Sequence, residues 1–181
     1  MRYPFLRNDP GGDLDIEITA AGLRFVGEGG PSASLPFSEI REVRLFCTVL
    51  GGGLLDQLLR TSKFAYCCVL SLGDGNRIAL TEAVRGPDGR WIVESAAYRT
   101  FVFALHEQLR VARTHIIYQA GLPAWRFVFD AYWGHWVHVG IAESRRAAPS
   151  FLRRGFFATL LRNWPRRYQP GAIPASFVPP A

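Results

Sequence analysis

The chain has 181 residues, 49% of them apolar and 13% aromatic, which suits one domain with a real core and excludes a disordered chain. Formal net charge is +6, but it is unevenly placed: up to Glu143 there are 14 basic and 15 acidic residues (net −1), and from Ser144 onward seven arginines and no acid (net +7). Cys47, Cys67 and Cys68, an odd count with two adjacent, do not read as a disulfide framework. Residues 1–13 hold no apolar run of signal-peptide length, so the expectation is a cytoplasmic protein with reduced thiols.

In chain order, Leu14, Ile16 and Ile18 alternate with Asp15, Glu17 and Thr19, the period-two pattern of a half-buried strand. Ala21 and Gly22 turn the chain, and residues 23–26 return as the partner strand. Residues 33–37 form a short strand broken at Pro36, and residues 40–50 a longer one with an irregularity near Glu42. Gly51 to Gly53 break it, and Leu54, Leu55, Leu58 and Leu59 follow in an amphipathic turn or two. Residues 64–72 are a strongly apolar strand, Gly73-Asp74-Gly75-Asn76 is a hairpin signal, and residues 77–83 return. Trp91, Ile92 and Val93 add a short strand after a loop.

From Ala97 the period changes. Tyr98, Phe101, Val102, Leu105, Leu109, Ala112 and Ile116 share one face of a helix, ended by Gly121 and Pro123. Phe103 lies off that stripe and calls for a second contact. Strands without intervening helices point away from a parallel βαβ sheet and toward an antiparallel one closed by a single helix.

That order, with the hairpin at residues 18–25, the segment Leu35-Pro36-Phe37-Ser38-Glu39-Ile40, the Gly-Asp-Gly turn and the closing helix, resembles the pleckstrin-homology (PH) superfold, including bacterial PH-like and GRAM-type modules. The resemblance implies an α+β fold: a curled antiparallel sheet or partly open barrel of about six to seven strands, capped by a long amphipathic helix and followed by one or two more helices. It divides the chain into a PH-like domain at 10–120, an aromatic and basic helical extension at 121–163 and a proline-rich tail at 164–181. The superfold hosts many unrelated binders, so it does not specify a ligand. The run from Arg162 to Pro174 is similar to the tail of bacterial inner-membrane proteins in which a PH-like domain precedes a transmembrane hairpin. Residues 124–142 depart from that pattern with Arg126, Asp130, His135 and His138, and residues 147–161 with Arg153 and Arg154. A buried charge costs about 2.5–3.5 kcal/mol on insertion scales, and a span needs about 20 apolar residues, so no transmembrane helix is expected.

The candidate binding residues follow from composition. Trp125, Phe129, Tyr132, Trp133 and Trp136 recur at helical spacing: a packed second helix, an interfacial helix at headgroup level, or a self-association surface. Arg145, Arg146, Arg153, Arg154, Arg162, Arg166 and Arg167 carry the excess charge, interleaved with Phe151, Phe156, Phe157, Leu160 and Leu161. That mixture suits anionic lipid better than a nucleic-acid groove. The first hairpin turn holds only Arg24, which does not support inositide headgroup binding. His135 and His138 lack a nearby third ligand, and His106 and His115 stand alone. No serine or cysteine sits in a nucleophile motif and no glycine run has a phosphate-loop setting. The expectation is a non-catalytic adaptor without cofactor or metal, peripheral at the cytoplasmic membrane face or bound to a protein. A structural oligomer built on the aromatic segment is the alternative.

Overall fold

The structure, a computed structural model, describes residues 2–6, 13–27, 33–50, 63–85, 91–112, 115–125 and 161–180. It is a mixed α+β fold in which eleven strands and one long helix are defined among these residues. The first four strands, β1 (Arg2–Leu6), β2 (Asp13–Ile18), β3 (Gly22–Gly27) and β4 (Ala33–Pro36), form an antiparallel sheet in chain order. The second sheet runs β11 (Arg166–Arg167), β10 (Ile117–Ala120), β5 (Ile40–Leu50), β6 (Lys63–Leu72), β7 (Arg77–Thr81). A two-stranded ribbon, β8 (Ala83–Arg85) with β9 (Trp91–Val93), leads into the helix α1 (Ser95–Val111).

Local chemistry fixes the corners. In the turn after β2 the Thr19 hydroxyl donates to the Gly22 carbonyl at 2.8 Å and accepts from the Gly22 amide at 3.1 Å. A Cβ on Gly22 would overlap the Leu35 carbonyl, so only glycine lets β4 lie this close to β3. The irregularity expected near Glu42 is present as a register shift between Ile40 and Glu42 in the β5–β6 ladder.

Both sheets and the helix share one core. Ile16 and Leu23 come from the first sheet, Val43, Leu45, Leu70 and Leu80 from the second. Helix α1 adds Tyr98, Phe101, Val102, Leu105 and Leu109, the stripe read from the sequence, together with His106. Each large side chain taken out of water contributes about 1.5–3 kcal/mol, so the stripe alone accounts for the helix's position. Phe103 finds its second contact on the outer side, where the Arg99 guanidinium lies 5.4 Å from its ring centroid.

Two expectations fail on the segment after the helix. The helix ends at Val111, short of Ile116, and residues 117–120 are a strand. Strand β10 lies parallel to β5, with Tyr118 opposite Val43 and Ala120 opposite Leu45, so the second sheet is not purely antiparallel. A four-residue strand with Tyr118 and Ala120 inward cannot be told by spacing from one more helical turn. Gly121 therefore ends a strand. Leu54 to Leu59, and residues 126–160 of the helical extension expected at 121–163, lie outside the described residues.

Candidate functional site

The C-terminal residues 161–180 pack back onto the domain as a strap. Its Phe177 and Val178 are buried in the shared core at 0% and 3% exposure. Arg99 on α1 donates to the Pro179 carbonyl at 2.6 Å, which ties the end of the strap to the helix.

The entry to the strap is set by Asn163, 1% exposed. Its Oδ1 accepts from the Cys47 amide at 2.9 Å and its Nδ2 donates to the Cys47 carbonyl at 2.9 Å. Strand β10 stops one step earlier, where the Gly121 amide donates to the Leu45 carbonyl at 2.7 Å. The Asn163 carboxamide thus extends the β5 ladder by one residue with a side chain in place of a backbone. Leu122 in turn donates its amide to the Asn163 carbonyl at 3.0 Å. Gly121 has φ +87°, and a Cβ there would overlap the Asn163 and Trp164 carbonyl oxygens. Only glycine combines that dihedral with that approach.

This junction brings Gly121 and Leu122 against Asn163 and Trp164. Around it Trp125, Leu161 and Trp164 are exposed by 70%, 67% and 57%.

A second tie is an aromatic trio of buried His106 and Tyr118 with half-buried Tyr168. His106, Tyr118 and Tyr168 have ring centroids 5.6–5.8 Å apart. His106 Nδ1 lies 2.8 Å from the Val102 carbonyl, which can only accept, so this nitrogen carries the proton. Nε2 then accepts from the Tyr168 hydroxyl at 2.8 Å. Burial lowers the His106 pKa to about 4, so the ring is neutral. Burial raises Tyr118 to about 12 and raises Tyr168 as well. With both nitrogens occupied inside the core, His106 holds the strap and presents no base to solvent.

The sequence-predicted arginines divide. Arg162 is half-buried, with its guanidinium 5.0 Å from the Tyr66 ring centroid, its Nη2 donating to the Tyr66 hydroxyl and its Nε donating to the Ser176 carbonyl at 2.8 Å. Arg166 donates to the Ser176 hydroxyl at 2.7 Å and lies 5.1 Å from the Phe177 ring centroid. Arg167 is exposed on β11 opposite Gln119. Arg145, Arg146, Arg153, Arg154, Trp133 and Trp136 lie outside the described residues.

Sequence reasoning missed Asn163, His106, Tyr168 and Phe177. Only His106 carried a usable signal, as it falls next to Leu105 beside the apolar stripe of α1.

The remaining reactive groups are tied into structure. Burial pushes the Cys47 thiol up to about 11 and Cys67 up to about 12, and raises Cys68 too, so all three are protonated at neutral pH. Buried Glu82 accepts from the Tyr66 amide at 3.1 Å and the Ser95 hydroxyl at 2.8 Å, pinning the start of α1 to β6. Among the described residues no group of three His, Cys, Asp or Glu side chains is placed to hold a metal. No helix among them is long and apolar enough to cross a membrane. No protein-family model, curated protein or solved structure matches the chain.

Proposed function

We propose that the chain is a PH-like, non-catalytic binding module that sits peripherally on an anionic membrane surface, at its cytoplasmic face. The observation that carries this reading is the partition of charge: residues up to Glu143 sum to −1, and those from Ser144 onward to +7. Each basic residue near an anionic surface contributes about 1 kcal/mol, so several hold a domain there without insertion. The PH-like part is supported by strand order among the described residues: four antiparallel strands, three more in the second sheet and the β8–β9 ribbon, then one long helix. The non-catalytic part is supported by protonated thiols and by a histidine occupied at both nitrogens.

The strap dictates how the reading is tested. Removing residues 144–181 would take Phe177 and Val178 out of the core and confound binding with folding. The clean variant keeps the whole chain and replaces Arg145, Arg146, Arg153 and Arg154 with Gln. In co-sedimentation with phosphatidylglycerol-containing vesicles, binding should weaken by about tenfold or more relative to wild type. Equal wild-type binding to anionic and neutral vesicles, or an unchanged affinity in the variant, sinks the proposal.

A further inference from the structure

We infer that the open edge of β9 pairs with the same edge of a second copy of this chain, antiparallel and centred on Ile92, so that two β8–β9 ribbons join into one sheet. The contact is separate from the proposed membrane surface and uses none of its arginines. An unpaired strand edge is a template for another strand, and proteins blunt such edges with proline, charge or shortness. The other sheet edges among the described residues carry these devices: Pro4 in β1, Pro36 in β4, Arg77 at the start of β7, and two arginines as the whole of β11. Strand β8 runs beside β1. Strand β9 holds neither proline nor charge, and its side chains Trp91, Ile92 and Val93 are exposed by 45%, 45% and 42%. Among the described residues no strand pairs with its outer edge.

The backbone sets the register. The Glu94 amide donates to the Glu82 carbonyl at 2.7 Å, and the ribbon places Ala83 opposite Val93, Val84 opposite Ile92 and Arg85 opposite Trp91. Hydrogen-bonded pairs alternate along an antiparallel ladder. Ile92 therefore turns its amide and carbonyl toward β8, while Trp91 and Val93 turn theirs to the open edge. A twofold axis at Ile92 matches those groups. Trp91 of each copy then faces Val93 of the other, each pair exchanging both backbone hydrogen bonds, and the two Ile92 side chains meet on the axis. Charge selects the occupant. Arg85 ends β8, and residues 86–90 hold Asp88 and Arg90, so the basic end of the ribbon sums to +1 (two basic, one acidic). Exposed Glu94 follows β9 at the other end, while Glu82 beside it is buried and bonded to the Tyr66 amide and the Ser95 hydroxyl. A surface of one sign attracts one end and repels the other, whereas an antiparallel copy sets each end against its opposite.

A pair of such short strands buries less than the roughly 1,200 Å² from which stable complexes start, so the dimer is weak and is sought at high protein concentration. Sedimentation equilibrium of the full chain, without lipid, should show its average mass rising toward that of a dimer as concentration increases. Val93→Pro removes the outward amide of Val93 but none of the bonds between β9 and β8, and should weaken association by about tenfold or more. A cooperative urea transition checks that this variant folds. The register has its own readout in Ile92→Cys. Residues opposed in a non-hydrogen-bonded pair have Cα atoms about 4.5 Å apart, within the range of a disulfide, so mild oxidation should link two copies through Cys at 92. Val93→Cys, which faces Trp91 of the other copy, should not link. The native thiols Cys47, Cys67 and Cys68 are buried and leave wild type as the blank. A monomer at every concentration, a dimer indifferent to Val93→Pro, or linking by Val93→Cys as fast as by Ile92→Cys overturns the inference.

Discussion

Helix α1 and the strap at residues 161–180 cover the same core by different means. The helix buries six side chains along one stripe, Tyr98, Phe101, Val102, Leu105, His106 and Leu109, so each turn repeats the contact made by the last. The strap buries Phe177 and Val178 near its end and is otherwise held at points: Asn163 on Cys47, Arg162 on Tyr66, Tyr168 on His106, Pro179 on Arg99. Each of those ties joins one residue of the strap to one residue of the domain, with no periodic repeat beside it. Position along the helix is therefore over-determined, whereas the strap's path depends on a few named groups. The contrast also decides what the basic end of the chain has to offer, because Arg162 and Arg166 are committed to holding the strap and Arg167 is not.

The largest effect should come from asking whether the two covers belong to one cooperative unit. Phe101 and Phe177 are both at 0% exposure. Truncating a fully buried phenylalanine costs about 3–5 kcal/mol, part transfer and part cavity. Phe101→Ala and Phe177→Ala should therefore fall in the same range by urea denaturation, each in a single transition. A Phe177→Ala cost under about 1 kcal/mol would mean that the strap is an appendage and not a second cover of the core.

Acid should act on the strap next. The folded His106 pKa is about 4, below the roughly 6.5 of an unfolded histidine. As pH falls, the unfolded chain takes up the proton first, so this group destabilises the fold progressively between about pH 6.5 and 4. Above that window it contributes no slope. The full difference is on the order of 3 kcal/mol for a side chain 1% exposed. Tyr118 and Tyr168 face the ring and stay neutral throughout the window. Wild-type stability should drop across the window while His106→Gln shows a shallower slope. Equal slopes would remove His106 from the account.

How much of this was legible in the sequence follows from the same contrast. Repetition is what a sequence displays, and α1 repeats: its stripe was readable from Tyr98 to Leu109. Strands β2, β3, β5, β6 and β7 were readable because their alternation or turn residues, Gly22 and Gly75 among them, are local signals. Strand β10 was not, because Ile116 continues the helical spacing by coincidence and four residues cannot establish a new period. The ties of the strap were invisible for a stronger reason. Asn163 and Cys47 are 116 residues apart, and His106 and Tyr168 are 62 apart, with no periodic pattern linking them. The Arg162 to Arg167 cluster read as excess surface charge, since nothing in a basic run announces that one member lies over Tyr66 and another over Phe177.

The smallest of these effects tests the sheet-like role of a single side chain. Asn163→Ala strands the Cys47 amide and carbonyl in a buried setting, and leaving such groups without a partner costs about 1–3 kcal/mol. Asn163→Asp keeps the acceptor but turns the donor into a second carboxylate oxygen facing the Cys47 carbonyl, so it should cost at least as much as alanine. Thr100→Ala is the matching control on α1: its hydroxyl donates to the Ala96 carbonyl from an exposed position, and water replaces it at a cost of roughly 0.5 kcal/mol or less. Hydrogen exchange at the Cys47 amide should accelerate in both Asn163 variants and stay unchanged in Thr100→Ala. If the Cys47 amide exchanges at the wild-type rate in Asn163→Ala, another group satisfies it and the carboxamide is not what extends β5. If it accelerates, one uncharged polar side chain fixes where Gly121 and Leu122 meet Asn163 and Trp164.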